Sequence, residues 1–305
     1  VYWDVQDTMM EDIDRIEVIR GPGATLWGAN AVNGVINIIT KSAKDTEGGI
    51  VGLTVGTHER ALVRGRQGVK MGENGHLRAY AKYDDRSDNR SLSGISAQDD
   101  WNKVQAGFRG DWEKGKDSSY TIQGDVYRAG ESSVVSLPTA PGFNVFNDRE
   151  TVSGGNVLGR WSEKLANDSE LTMQLYADLA RRDNHVFSSE IQTYDVDMQH
   201  VWTPVQHHEI VWGAGYRYVG FNTRGNNYLQ FFGENRWDNL FSAFAQDKIE
   251  LVDNSVYLTL GSKFEHNNYT GFEYQPSARA SWIIDDNQTL WGSVSRAVHT
   301  PDRGT

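Results

Sequence analysis

Three stretches of this 305-residue chain bring together residue types that could do chemistry. Gly21, Gly23 and Gly28 stand in a turn that follows a strand-like run, which is where phosphates are cradled. The spacing fails, because Gly23-x4-Gly28 is followed by Ala29-Asn30 where a P-loop requires Lys and then Ser or Thr. Nor do Gly21, Gly23 and Gly28 fit G-x-G-x-x-G. His207-His208-Glu209 begins like a zinc site, yet the second His of H-E-x-x-H would have to occupy the position of Trp212. Ile210, Trp212, Ala214 and Tyr216 recur at period two there, so the segment reads as a strand and offers no helical i, i+4 pair. Asp84-Asp85-Arg86-Ser87-Asp88-Asn89 could attract calcium but lacks the Gly and terminal Glu of an EF-hand, and reads as a solvated loop. Carboxylates are scattered over many strands and no Ser-His-Asp or paired-carboxylate set stands out. The chain is therefore expected to be no enzyme, with no catalytic residue and no resident metal or cofactor.

The elements that would position these residues are strands. Ile16 and Val18 alternate with Glu17 and Arg20, the chain breaks at Gly21-Pro22-Gly23, and residues 35–39 form an apolar run interrupted only by Asn37. Two strands around a Gly-rich turn follow, and Gly21, Gly28 and Gly34 permit backbone conformations or close approaches denied to other residues. From about Gly48 onward the pattern is one of long amphipathic strands. Leu171, Met173, Leu175, Ala177 and Leu179 alternate with polar neighbours, as do Val104, Ala106 and Phe108, and Leu77, Ala79, Ala81 and Tyr83. About thirteen such strands can be counted, each long enough to cross a membrane at a tilt. Short turns rich in Gly, Asn and Asp alternate with longer loops, expected at 86–100, 129–150 and 223–236. Trp101, Trp112, Trp161, Trp202, Trp212 and Trp237 fall near strand ends, as in an interfacial girdle.

Composition narrows the class. Charged residues make up 23% and apolar ones 38%, with a mean hydropathy of -0.59, so no run of apolar residues could span a bilayer as a helix. A β-barrel stays open, since its strands need an apolar residue only at every second position. A net charge of -11 without a basic tract argues against nucleic acid as a partner. There is no cysteine, which removes disulfides and thiolate metal sites. No signal peptide precedes Val1, so the sequence is expected to begin inside a domain.

Residues 13–22, reading Ile-Asp-Arg-Ile-Glu-Val-Ile-Arg-Gly-Pro, Leu26-Trp27-Gly28, and residues 34–41, reading Gly-Val-Ile-Asn-Ile-Ile-Thr-Lys, match a known pattern almost continuously. They resemble the end of the plug domain of TonB-dependent outer-membrane receptors. A second, weaker likeness lies in residues 295–301, which departs from the family's segment at Val298 and His299. The resemblance implies an all-β fold, a 22-stranded transmembrane antiparallel β-barrel filled by an α+β plug. Residues 1–45 would be the C-terminal half of the plug and 46–305 the first part of the barrel. It further implies residence in the bacterial outer membrane among its lipids, and energy-coupled uptake of a scarce metal chelate. The ligand would be a ferric siderophore, or alternatively cobalamin, with TonB as partner through a TonB box that is not in this sequence. A passive porin or adhesin barrel is the competing class, disfavoured by the plug-like stretch. By the same likeness, Arg15, Glu17, Arg20, Gly21, Pro22, Gly28 and Gly34 form the plug signature. Arg20 matches an Arg of a buried charge cluster, and Arg15, Glu17 and Arg20 are expected to face carboxylates across the lumen, on later barrel strands that this sequence does not include. Trp27, Tyr228, Phe231, Phe232 and Trp237 suit a flat ligand, though the loop aromatics suit an interface girdle equally.

Overall fold

The computed structural model describes residues 5, 7–21, 24–167, 169–226, 228–229 and 233–301, with only the backbone for Ala24 and Leu26. Pro22, Gly23, Phe231 and Phe232, all singled out in the sequence, lie outside the described set. A 3-10 turn, Met10–Asp12, leads into β1 (Ile13–Arg20). A one-turn helix, α1 (Ala24–Trp27), separates it from β2 (Gly34–Thr40). The two strands pair antiparallel, with Ile16 opposite Ile38, Val18 opposite Ile36 and Arg20 opposite Gly34. Gly34 is forced by close approach, since a Cβ there would stand 2.4 Å from the carbonyl oxygen of Ile19.

Thirteen further strands form one antiparallel sheet in strict sequence order. They are β3 (Gly48–Thr54), β4 (Glu59–Met71), β5 (Gly75–Arg86), β6 (Trp101–Lys114), β7 (Ser118–Thr139), β8 (Gly142–Lys164) and β9 (Glu170–Asp183). The series continues with β10 (Ser188–Trp202), β11 (His208–Arg224), β12 (Asn235–Val252), β13 (Val256–Asn267), β14 (Gly271–Asp285) and β15 (Gln288–Ser295). The count of thirteen read from alternation holds. A meander of this kind puts every second connection at the same end. The turns at 72–74, 115–117, 203–207, 253–255 and 286–287 therefore share one end, and the loops at 87–100, 184–187, 225–234 and 268–270 share the other. At strand spacings of about 4.8 Å, β4 and β13 would stand roughly 43 Å apart in a flat sheet. Both contact the same short N-terminal segment through Arg66 and Glu265, so the sheet curves around it.

One expectation fails. Residues 129–150 are no loop; β7 and β8 run 22 and 23 residues and continue as a hairpin up to Thr139 and Gly142. Their neighbours stop at Glu131 and Thr151, so eight rungs from Ser132–Arg149 to Thr139–Gly142 project about 27 Å beyond the sheet. Pro138, Pro141 and the Asn and Asp residues suggest a loop, yet Val134, Val135, Phe143, Val145 and Phe146 are β-branched or aromatic residues that favour extended strands.

Pleating sorts the side chains into two faces. Arg64, Arg66, Arg78, Lys82, Lys103, Arg109, Asp125, Asp178, Lys263 and Glu265 point to the side where the N-terminal segment sits. The opposite face carries Val51, Leu53, Val104, Val126, Leu175 and Leu260, all exposed. Trp112, Trp161, Trp202, Trp212 and Trp282 take that outward register near the short turns, where an aromatic girdle belongs. Trp101 does not join them: it takes the inward register, with the Arg86 guanidinium 4.9 Å from its ring. No described helix is long and apolar enough to cross a membrane; the crossing elements are strands.

Candidate functional site

The surface that could do work is the seam between the N-terminal segment and the inward face of the sheet. Buried apolar side chains are few among the described residues (Met9, Ala31, Ala43, Ala129, Val152 and Phe244), while buried polar and charged ones are more numerous. The seam is polar and is built from charge.

At one side, acids of the segment meet bases of the wall. Asp12 is 2% exposed and accepts from Arg66 at 2.5 Å, with Arg78 at 3.3 Å on its other oxygen. Arg78 also donates to the Lys41 carbonyl at 2.8 Å, and the Lys41 amide donates back to the Asp12 carbonyl at 2.8 Å, so one clamp holds both ends of the β1–β2 hairpin. Glu11 pairs with Arg64 at 2.6 Å. Asp7 pairs with Lys82 and lies 3.6 Å from Lys103. Below the hairpin, Arg109 chelates Asp111 and donates to the Thr40 hydroxyl at 3.0 Å, and Asp111 accepts from the Ala43 amide at 2.7 Å. The residues where the chain passes from segment to sheet are thus pinned to β6.

At the other side the polarity reverses. Glu265 of β13, buried with its side chain 4% exposed, accepts from the Ala29 amide at 3.0 Å and from Gln275 at 2.7 Å, with Lys263 at 4.0 Å. Thr25 shares a hydrogen bond of 2.5 Å with Ser277. Gly28 is required twice here: its φ is +80°, and a Cβ would stand 2.3 Å from the Glu265 carboxylate. Trp27 leans over a cavity of about 220 Å³ with Asp195, Asp197, Arg217 and Lys263.

The signature charges make their described contacts within the segment itself. Arg15 pairs with Asp14 and Glu17 on its own strand, each at 2.8 Å, and Glu17 accepts from Asn37 across the hairpin at 3.2 Å. The Arg15 hydrogen bond, followed by that from Asn37, holds the Glu17 carboxyl below its ordinary range. Arg15 and Glu17 stand two apart on one strand face, close enough to satisfy each other without a wall carboxylate. Arg20 is exposed and makes no hydrogen bond or ion pair among the described residues. The charges that anchor the segment to the described wall are Asp7, Glu11 and Asp12, which sequence reasoning passed over. Two signals pointed to them: acids immediately before the signature, and bases recurring at inward positions of β4 and β5. Of the loop aromatics, Tyr228 is half-exposed in the 225–234 connection, and Trp237 takes the outward register of β12 at 60% exposure, as a girdle residue would. His208 donates through Nδ1 to the Asp247 carboxylate at 2.8 Å beside a turn, and no metal-holding cluster occurs among the described residues.

A curved antiparallel sheet, apolar outside and polar inside, with a hairpin segment seated on its inner face by charge, is the wall of a plugged membrane barrel. The profile of the family described as TonB dependent receptor-like, beta-barrel, matches residues 46–305, and that of the TonB-dependent Receptor Plug Domain matches residues 2–35. The chain belongs to the TonB-dependent receptors, a family of bacterial outer-membrane transport proteins rather than enzymes. It is 23% identical over 308 residues to the iron-regulated outer membrane virulence protein of Vibrio cholerae, covering 96% of this chain and 45% of that protein. A shorter likeness, 51% over 45 residues, covers 15% of this chain and 7% of the vitamin B12 transporter BtuB of Vibrio vulnificus. The crystal structure of the siderophore receptor PirA from Pseudomonas aeruginosa superimposes with a TM-score of 0.73 at 19% identity, over 96% of this chain and 50% of that one. The chain spans about half the length of the curated relatives that it matches end to end.

Proposed function

We propose that this chain is the C-terminal half of the plug (residues 1–45) and the first part of the barrel wall (46–305) of a receptor that takes up a scarce metal chelate, a ferric siderophore, across the outer membrane on energy delivered by TonB. The observation that carries this reading is the chemistry of the seam. A plug that must leave its wall and return cannot be held by a large apolar core, because such burial gives up its stabilisation only by unfolding. Ion pairs and hydrogen bonds re-form with water when separated, and their net contribution after desolvation is modest. On this reading Gly21, Pro22, Gly28 and Gly34 shape the plug turn. Arg15, Glu17 and Arg20 face the rest of the lumen, and Trp27 and Tyr228 meet the ligand.

The test is uptake by the whole receptor, expressed in an outer-membrane host stripped of its own receptors, with and without TonB. Iron-loaded siderophores and cobalt-labelled cobalamin are supplied in parallel. TonB-dependent accumulation of iron is the expected result. Accumulation of cobalamin alone would replace the ligand, and uptake indifferent to TonB would favour a passive pore.

A further inference from the structure

The inward face of the sheet is electrostatically divided, and the described N-terminal segment contacts only part of it. The bases of β4–β6 are met by Asp7, Glu11 and Asp12. The wall from β7 to β10 instead presents Asp125, Asp178, Asp195 and Asp197, and the cations of this part of the wall gather at the Asp195 and Asp197 end. Arg217 pairs with Asp195 at 2.8 Å, Lys263 sits beside Glu265, and Arg160 donates to the Gln174 carbonyl at 2.7 Å. Asp125 is met by the Tyr80 hydroxyl and Asp178 by that of Tyr176 at 3.2 Å, neutral donors that leave both charges uncompensated. Asp197 makes no hydrogen bond or ion pair among the described residues, although Lys263, Arg217 and Arg160 stand near enough to attract its charge.

These carboxylates do not stand alone. Asp125 and Asp178 line a cavity of about 530 Å³ shared with the rings of Tyr80, Tyr127 and Tyr176. Gln105, 5% exposed, lines it too; its amide nitrogen donates to Tyr80 at 2.9 Å, while its carbonyl oxygen is buried without a partner among the described residues. Arg78 and Arg109 also line the cavity but are engaged by Asp12 and Asp111, and Lys103 already stands 5.3 Å from the Tyr127 ring centre. An unpaired buried acceptor, two carboxylates met only by hydroxyls and the rings of Tyr80 and Tyr176 together call for a donor with positive charge. The cavity adjoins the one under Trp27 along β9 and β10, where Asp197 continues the strip.

We propose that the strip Asp125, Asp178 and Asp197 recognises positive charge on the transported chelate. The substrate class is then a metal complex bearing a protonated amine or a similar cationic arm, and not a polyanionic one such as a tris-catecholate. The proposal rests on the uptake reading above, and deepens it by fixing the charge of the ligand.

The test uses the purified whole receptor and three iron chelates. Ferric desferrioxamine B carries one protonated primary amine; its N-acetylated form has the same hydroxamate coordination without that charge; a ferric tris-catecholate is trianionic. Binding is read by quenching of intrinsic fluorescence, and uptake is read separately in cells. The amine form should bind at least about tenfold more tightly than the acetylated one, and the double variant Asp178→Asn, Asp197→Asn should bring that ratio close to one. Equal affinity for the amine and acetylated forms, a preference for the trianion, or binding of none of the three would overturn the proposal. So would variants that weaken all chelates alike while lowering thermal stability, since the strip would then hold a basic segment of the receptor itself. Charge-selective binding without TonB-dependent uptake would leave the strip standing and sink the transport reading instead.

Discussion

Asp12 and Arg15 stand three residues apart and do opposite work. Asp12 holds two buried guanidiniums, whereas Arg15 pairs with exposed neighbours on its own strand. Removing one partner of a buried pair strands the other charge in a poorly solvated place, at a cost of about 3–5 kcal/mol. Asp12→Ala should therefore loosen the plug, read as faster hydrogen exchange over residues 7–12 and an earlier plug transition on heating. Arg15→Ala should leave both unchanged, because exposed pairs contribute little. Gly28→Ala offers a second check. It meets the Glu265 carboxylate and a left-handed backbone together, so the Ala29 amide should lose its protection. Adding Glu265→Ala removes the clash but also the acceptor of the Ala29 amide, and leaves about 1–2 kcal/mol of backbone strain, so the double variant should not regain the plug stability even of the single variant Glu265→Ala. Recovery of the plug transition in the double variant to that of Glu265→Ala would show that the steric contact alone makes glycine necessary.

Among the elements, the strands were legible and the long hairpin was not. Alternation marks a strand wherever one face is apolar, and that held for β5, β6 and β9, whose outward residues are those picked out by period two. The β7–β8 extension leaves the membrane-facing sheet, so both its faces are mixed and its polar residues imitate a loop. The seam was hidden for another reason: Asp12 meets Arg66 and Arg78 across 54 and 66 residues of chain, and pattern reading assigns inward polar residues to a wet lumen without pairing them. The 87–100 connection has order of its own that acidity should undo. Ser96 donates to Asp88, and Asn89 donates twice to Asp99, at 2.6 and 2.7 Å. The Ser96 bond holds the Asp88 carboxyl below its usual range, and the Asn89 bonds do the same for Asp99. A depressed folded-state value gives stabilisation that is present above the unfolded value of about 3.9 and is lost as pH falls through the folded one. The Ala97 amide, bonded to the Asn89 carbonyl at 2.8 Å, should be protected at pH 7 and exchange freely near pH 3. Asp99→Asn should show partial deprotection already at pH 7. A loop equally protected at both pH values would mean that its backbone turns, and not these carboxylates, hold it.

At the scale of the whole molecule the sheet is open. Its order runs from β15 to β3 without a pairing between them, so β3 (Gly48–Thr54) and β15 (Gln288–Ser295) each present an unpaired edge. In hydrocarbon each unsatisfied backbone group costs several kcal/mol, and two edges of seven and eight residues multiply that cost beyond what an apolar outer face returns. Residues 1–305 expressed alone behind a signal peptide should therefore fail to insert, and should be degraded or recovered as aggregate. The family's barrel of 22 strands leaves about nine to close the gap, and supplying them should give a protease-resistant species whose migration on gels changes with heating. The same addition should leave the Asp12 clamp and the Glu265 contact in place, because both lie on strands already present. If the 305 residues alone gave a heat-modifiable, detergent-extractable barrel, β3 and β15 would have to pair with each other. The thirteen strands would then be a complete wall, and the larger architecture would be wrong for this protein.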